Sequence, residues 1–504
     1  ERKRAELKSE AEIYLSLDHP HIARLEMVYE TDEEIHLVME FMAGGELYDR
    51  LSQRKQYSEE AAAETTYQML LAVAYLHANS IAHRDLKLEN FLYERKDTNH
   101  LKLIDFGFAK FWDRSTKMSQ ACGSVHYVAP EVLMHSYTEK ADLWSIGVIV
   151  YMLLTGSPPF HGSDDEVLRK IKSGSPHFGS RFVRLSEPAR DFVQSLLILD
   201  PVKRLSAELA LDHTWVKTKN NSSETVLDLS TLESLRNFAH ASHFRRAVLS
   251  MMAWSLSTED RVELRTMFLS LDKENKGVVT HSQMKKLLEE HFHVDSMEAE
   301  ALFNSLDSNN DNEIEYTEFM AAALQGRVKV HEATIRKTFQ RFDVDECGLI
   351  SVDDLRSVIG DSFEGADIEE LVREADTSGD GKIDYEEFLA YFHKLDEDVE
   401  ETSPVVPRVS GGQAPGSCGD QCVNGLRLLA IRQQPQESPV AQSPMSRRST
   451  HTEKLGIVLD HLLSNEDQAA AAGAPGAAEP QPAGSPKTPK TPQPLSRRCC
   501  KTTS

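Results

Sequence analysis

The stretch Asp376–Tyr391, DTSGDGKIDYEEFLAY, constrains the fold more than any other part of the sequence. Asp376, Ser378, Asp380 and Glu387 fall at positions 1, 3, 5 and 12 of a loop, and Gly381 sits at position 6. Calcium takes about six to eight hard oxygen ligands at roughly 2.4 Å. This spacing wraps such oxygens around one ion while the glycine takes the sharp turn. Related loops start at Asp272, Asp307 and Asp343, so successive starts lie 35, 36 and 33 residues apart. A repeat of that period predicts stacked helix–loop–helix units, because one unit alone cannot bury its apolar face.

The four units, read as EF-hands over 259–294, 294–329, 330–365 and 363–398, are not equivalent. Loop two offers Asp307, Asn309, Asp311, the Glu313 carbonyl, Glu315 and a bidentate Glu318; Asn312 replaces the turn glycine, and Asn tolerates positive φ. Loop four offers Asp376, Ser378, Asp380, the Lys382 carbonyl, Asp384 and Glu387. Both are expected to bind Ca2+. Loop one places Lys276 at position 5 and Gln283 at position 12, so a cation and a neutral amide stand where carboxylates belong. Loop three has Cys347 at position 5 and the shorter Asp354 at position 12, which makes it weak or magnesium-preferring. The two altered loops are expected to persist because these units pack in pairs.

Charge follows the same division. The chain of 504 residues carries a formal net charge of -24, and residues 259–400 alone hold 36 acidic and 15 basic side chains. The acidity therefore belongs to the calcium module, and nothing recommends nucleic acid as a partner. Six irregularly spaced cysteines suggest free thiols in a reducing compartment, the cytoplasm, with peripheral membrane association as an option. The longest apolar run, Trp144–Leu154, is far short of the ~20 residues that span a bilayer. From Asp396 onward the sequence is rich in Pro, Gly, Ser, Gln and Ala, and residues 399–504 are expected to be disordered except for a short amphipathic helix at Leu455–Leu463.

Ahead of the repeats, residues 1–217 alternate short β-rich runs such as Ile35–Phe41 with longer helical patterns such as Glu59–His77. They contain HRDLKLEN at His83–Asn90, DFG at Asp105–Gly107 and APE at Ala129–Glu131. Phosphoryl transfer needs chiefly positioning, a carboxylate near the accepting hydroxyl, and oxygen ligands for magnesium. In these motifs the chain resembles the eukaryotic protein kinases. The resemblance implies that Asp85 is the catalytic base, that Lys87 stabilises the transferring phosphoryl group, and that Asn90 and Asp105 hold Mg2+ on ATP. It further implies Ser/Thr substrates, from the Lys in DLKLEN, and an ion pair between Glu131 and Arg204. Met39 matches the gatekeeper, and Glu40–Met42 the hinge that binds adenine. Leu88 departs from the usual Pro. Glu10 resembles the glutamate that pairs with the ATP-binding lysine, but that lysine and the Gly-rich loop would lie upstream of Glu1. A truncated sequence is the favoured explanation, and a pseudokinase acting only as a calcium sensor or scaffold is the alternative. The polypeptide as written is expected to bind ATP poorly.

Residues 222–257 join the two halves as an expected helix. Leu232, Leu235, Phe238 and Ala239 form one apolar stripe, and Phe244, Ala247, Val248 and Met251 form another on nearly the opposite side. Between them lie Arg236, His240, His243, Arg245 and Arg246, a basic set suited to an acidic partner. The order of kinase, basic junction and four EF-hands resembles the calcium-dependent protein kinases of plants and apicomplexan parasites. The implied architecture is an α+β bilobal kinase fold, its N-lobe incomplete in this chain, followed by an all-α EF-hand domain and a disordered tail. The implied function is a monomeric, calcium-activated Ser/Thr kinase acting on protein substrates, with an autoinhibitory junction that the EF-hands bind intramolecularly. A separate calmodulin is disfavoured because the sensor is already tethered at high effective concentration.

Two acidic residues add specificity. Glu46 in GGELYDRL and Glu89 in DLKLEN match family positions whose carboxylates grip arginines on the N-terminal side of the phosphorylated residue. A basophilic preference for Arg at position -3 follows. The tail contains SRRST, with Arg447 and Arg448 ahead of Ser449 and Thr450, as a candidate autophosphorylation site, whereas Ser485-Pro486 and Thr488-Pro489 suit other kinases.

Overall fold

In the computed structural model the described residues are 2–30, 34–113, 115–217, 227–324, 332–360, 362–391 and 493–494. The Leu455–Leu463 helix, the SRRST site and both proline-directed pairs lie outside them.

The first half has a small N-terminal part and a larger helical one. Helix Arg2–Leu15 precedes the antiparallel strands Leu25–Glu30 and Ile35–Met39. Below them, helix Glu59–Ala78 starts at Ser58, whose hydroxyl accepts from the Ala61 N–H at 3.2 Å, with Glu59 and Glu60 favouring the positive end of the helix dipole. It packs against Lys140–Thr155, the apolar run Trp144–Leu154 with one polar turn in front, which is buried almost all round. That helix stops where Gly156 takes φ +71 and returns its N–H to Met152 O at 2.8 Å. A Cβ there would lie 2.1 Å from the Lys55 carbonyl, so only glycine fits. One continuous core joins Tyr14, Leu71, Phe106, Trp144, Phe192 and Trp215.

A second core holds the remaining helices. The junction, expected as one helix, is two: Leu229–Ala239 and His243–Ser255. The break has a local cause, since Ser242 caps the second helix by accepting the Arg245 N–H at 3.3 Å. It also has a packing consequence. One straight helix would turn its two apolar stripes away from each other, whereas the bend lets Leu232, Leu235 and Phe238 share a core with Phe244, Ala247 and Val248. The first helix contacts Ser296–Leu306 and Tyr316–Ala323, and the second contacts Tyr316–Ala323, Glu332–Phe342 and Ile368–Ala375. The junction is thus embedded in the calcium module. Phe244 meets Tyr391 and Phe388 edge-on, Arg236 Nε donates to Glu298 at 2.6 Å, and Arg246 pairs with Glu364.

The EF-hand half departs slightly from all-helical. Val279–Thr280 pairs with Glu313–Ile314, and Leu349–Ile350 with Ile383–Asp384, which ties loop one to loop two and loop three to loop four.

Candidate functional site: a catalytic cleft and four loops

The cleft is built from turns that only a packed core holds in place. Arg84 and Asp105 both adopt positive φ, +69 and +65, in the two loops that carry the catalytic motifs. Asp142, at the polar start of its buried helix, fixes the first loop: its carboxylate accepts the His83 N–H at 2.9 Å, the Arg84 N–H at 2.8 Å and a bond with His77 Nε2 at 2.9 Å. Burial alone would raise that carboxyl, but the His77 bond, nearby His83 and the Arg84 N–H hold it below the ordinary value. The loop then presents Asp85, buried, with Lys87 Nζ 2.5 Å from one carboxylate oxygen and the Ser124 hydroxyl donating to the other at 2.9 Å. The Asn90 amide donates to the Asp85 carbonyl at 2.9 Å, so Asp85, Lys87 and Asn90 form one constellation.

Asp105 stands across the cleft. Its N–H donates to the Tyr14 hydroxyl at 2.9 Å, and its carboxylate accepts the Gly107 N–H at 3.2 Å. Glu10 approaches the same turn: a Cβ on Gly107 would lie 3.3 Å from the Asp105 carboxylate and 3.5 Å from that of Glu10. Burial, reinforced by Asp105, pushes Glu10 up to about 7. Asp105 and Asn90 each offer a side-chain oxygen to the cleft, and this donor set fits magnesium, a hard cation that favours oxygen.

Met39 ends its strand, and Glu40–Met42, expected as the adenine hinge, follow it. Met42 is buried and Phe41 is 86% exposed. Glu40 is different, since its carboxylate points away from the cleft and accepts the Arg24 N–H at 2.7 Å and Lys102 Nζ at 2.6 Å. Burial would raise it, yet Lys102, Arg261 and Arg24 hold it at about 2. Any contact of Glu40 with adenine must come from its backbone. Glu131 and Arg204 form a buried bidentate pair at 2.5 and 3.0 Å.

Glu46 precedes helix Leu47–Arg54, and Glu89 lies in the turn Leu88–Asn90. The two carboxylates lie near each other: burial raises the Glu89 carboxyl first, and the Glu46 and Asp85 charges add to it. One Glu89 oxygen is buried without a hydrogen-bond partner.

The calcium loops are already curled. In loop two, Asp307 accepts from Asp311 N and Asn312 N, Asn309 accepts from Asp311 N, Asp311 accepts from Glu313 N, and Glu318 accepts from Ser308 N and Glu315 N, all at 2.8–3.1 Å. Asn312 has φ +67, the conformation its position demands. Burial drives Glu318 up to about 7. Loop four repeats the pattern. Asp376 accepts from Gly379 N at 2.7 Å, Gly381 N at 2.8 Å and the Ser378 hydroxyl at 3.2 Å. Asp380 accepts from Lys382 N, and Glu387 from Ser378 N and Asp384 N. In loop one Lys276 pairs with Glu274 at 2.6 Å, and the Gln283 amide oxygen accepts the Thr280 N–H at 2.8 Å as half of a capping box. In loop three Asp343, Asp345 and Cys347 cluster within 4.8 Å.

Sequence reasoning missed Asp142, Ser124 and Tyr14. The first could have been found, because a carboxylate at the edge of a buried apolar run needs internal partners. Tyr14 and Ser124 carry no such local signal.

Residues 1–216 match the protein kinase domain, and residues 261–324 and 332–393 match the EF-hand domain pair. Among curated relatives, Calcium-dependent protein kinase 3 of Plasmodium berghei is 36% identical over 395 residues, 76% of this chain and 71% of the relative. Calcium-dependent protein kinase 34 of Arabidopsis thaliana is 36% identical over 381 residues, 74% of this chain and 73% of the relative. Calcium-dependent protein kinase 4 of Plasmodium falciparum is 33% identical over 411 residues, 77% and 78% of the two. Given these matches and the cleft and loops just described, the chain belongs to the calcium-dependent protein kinases, calcium-regulated Ser/Thr protein kinases that use ATP, Mg2+ and Ca2+.

Proposed function

We propose that this kinase is basophilic, and that the residues named above divide the work as follows. Asp85 takes the proton of the substrate hydroxyl as its oxygen bonds to the γ-phosphorus and ADP leaves; Lys87 neutralises charge on the transferring group; Asn90 and Asp105 hold magnesium. Glu10 orients the ATP-binding lysine, and the Glu40–Met42 backbone receives adenine. Loops two and four take calcium, through Asp307, Asn309, Asp311, the Glu313 carbonyl and Glu318, and through Asp376, Ser378, Asp380, the Lys382 carbonyl and Glu387. The carrying observation for catalysis is the clasp on Asp85, where Lys87 and Ser124 hold one carboxylate oxygen each. The carrying observation for specificity is the buried, unpartnered oxygen of Glu89 beside Glu46. Two close carboxylates, one of them short of a donor, suit a guanidinium that supplies paired N–H groups and positive charge. The enzyme is read as a cytoplasmic monomer whose junction is held by its own EF-hands.

One experiment tests both halves in the full-length kinase with calcium. Asp85→Asn is expected to lower the rate on a Ser peptide by at least about 10²–10⁴-fold, as loss of a general base does. Glu46→Ala is expected to raise KM for a peptide with Arg at -3 while leaving its Ala analogue unchanged. Equal use of the two peptides by the unmodified enzyme would remove the arginine grip.

A further inference from the structure

Loop one has a lysine and an amide where calcium loops carry carboxylates, yet it and its first helix are packed directly on the kinase half. Helix Arg261–Leu271 lies behind the hinge. Arg261 reaches the Glu40 carboxylate at 3.3 Å, and Arg265 reaches Glu94 at 3.0 Å. Glu94 follows the strand Phe91–Tyr93 that leads out of the catalytic turn. On the kinase side the Glu40 and Glu94 carboxylates share a buried pocket with Lys102, 2.6 Å from Glu40 and 3.7 Å from Glu94, and with Arg24, whose charge also acts on Glu40. Arg261 and Arg265 complete it, and Glu40, Glu94, Lys102, Arg261 and Arg265 are all at most 9% exposed.

The loop tip adds shape. Gly277, at φ +77, presses on the stack of His19 over Tyr75, whose centroids are 4.9 Å apart; a Cβ there would meet the Tyr75 ring at 2.5 Å and the His19 ring at 2.6 Å. Tyr67 donates its hydroxyl to the Asn275 side chain at 3.2 Å. The junction supports the same face, since Arg24 donates to the Ala253 and Trp254 carbonyls at 3.4 Å and covers the Trp254 ring. Inside the loop, Asp272 accepts Lys276 N at 3.0 Å and Gly277 N at 2.6 Å, so the tip keeps its shape without an ion.

We infer that the first EF-hand, residues 261–291, is a calcium-independent docking clamp for the kinase, whose arginines Arg261 and Arg265 brace the back of the nucleotide hinge through Glu40 and Glu94. The inference rests on the kinase reading for its nucleotide arm only. With Lys102 shared between the two buried carboxylates, loss of an arginine leaves them under-compensated, so undocking disturbs the residue immediately after Met39. Docking thereby couples the position of the calcium module to ATP affinity. Couplings of this kind are typically about 5- to 150-fold.

The test uses the full-length kinase with calcium. Arg265→Glu is expected to raise KM for ATP by about tenfold, within that range, with kcat at saturating ATP changed less, and Arg265→Glu combined with Glu94→Arg is expected to restore it. Gly277→Ala, which adds one methyl to a loop with no ion to lose, is expected to speed amide hydrogen exchange in both Arg261–Leu271 and Glu59–Ala78. Calcium stoichiometry by calorimetry should be unchanged in every variant. Unaltered exchange in Gly277→Ala and Arg265→Glu would overturn the clamp. Faster exchange with an unchanged KM would overturn the brace on the hinge. Absence of phosphoryl transfer in the unmodified protein would instead sink the kinase reading, and the exchange measurement would still decide docking.

Discussion

Loops one and four begin with the same residue type in the same turn, and their surroundings could hardly differ more. Asp272 is 2% exposed beneath the kinase, and burial pushes its carboxyl up to about 6 against the pull of the Gly277, Lys276 and Asn275 N–H groups. Asp376 is only half-buried, and its own backbone donors, led by Gly381 N–H, hold it below the ordinary value. The backbone curl is common to both. What differs is the ring of side chains at positions 5 and 12: carboxylates that need a cation in loop four, a lysine and an amide that supply their own partners in loop one.

The sharpest way to break this contrast is at position 12. Glu387→Gln is expected to remove one of two tight calcium sites counted by calorimetry, whereas Gln283→Glu creates none because Lys276 still occupies position 5. A third site in the Gln283→Glu protein would show that loop one is only one residue from being a receptor. A smaller effect is expected at position 1 in the absence of calcium. Asp272→Ala leaves buried N–H groups unsatisfied and should cost about 1–3 kcal/mol in chemical unfolding, while Asp376→Ala, where water can replace the carboxylate, should cost well under that. Equal losses would mean that burial under the kinase is not what distinguishes the loops. The smallest effect tests the bend that brings the junction into the module. Ser242→Ala removes one helix cap, worth about 1 kcal/mol, and should lower the unfolding midpoint of the EF-hand half without changing its calcium stoichiometry.

Legibility in the sequence followed the range of the interactions. The calcium loops could be read residue by residue, down to the positive φ of Asn312, because ligand spacing and turn chemistry are local. The catalytic motifs were equally plain, and the Glu131–Arg204 pair formed as the resemblance implied. The junction stripes were visible, but a helix breaks wherever a cap and a core together favour it, and Ser242 gave no signal that it would win over helix continuation. Arg261 and Arg265, one turn apart on RVELRTMFLSL, carry no local signal of a partner; only the fold brings Glu40 and Glu94, more than 160 residues away, against them. Glu40 matches the adenine hinge by position, while its side chain is held by Lys102 and the Arg24 N–H of the kinase half and by Arg261 of the EF-hand half.

The contact of Asp18 with Thr317 extends the clamp to the neighbouring loop. Asp18, whose N–H donates to the Tyr75 hydroxyl at 3.0 Å, accepts the Thr317 N–H at 2.7 Å and the Thr317 hydroxyl at 2.9 Å. Thr317 immediately precedes Glu318, the position 12 carboxylate of loop two. Binding free energies coupled through one contact are reciprocal. Whatever calcium in loop two does to the nucleotide site, nucleotide must do in equal measure to loop two, so the calcium threshold of such an enzyme would shift with the supply of ATP.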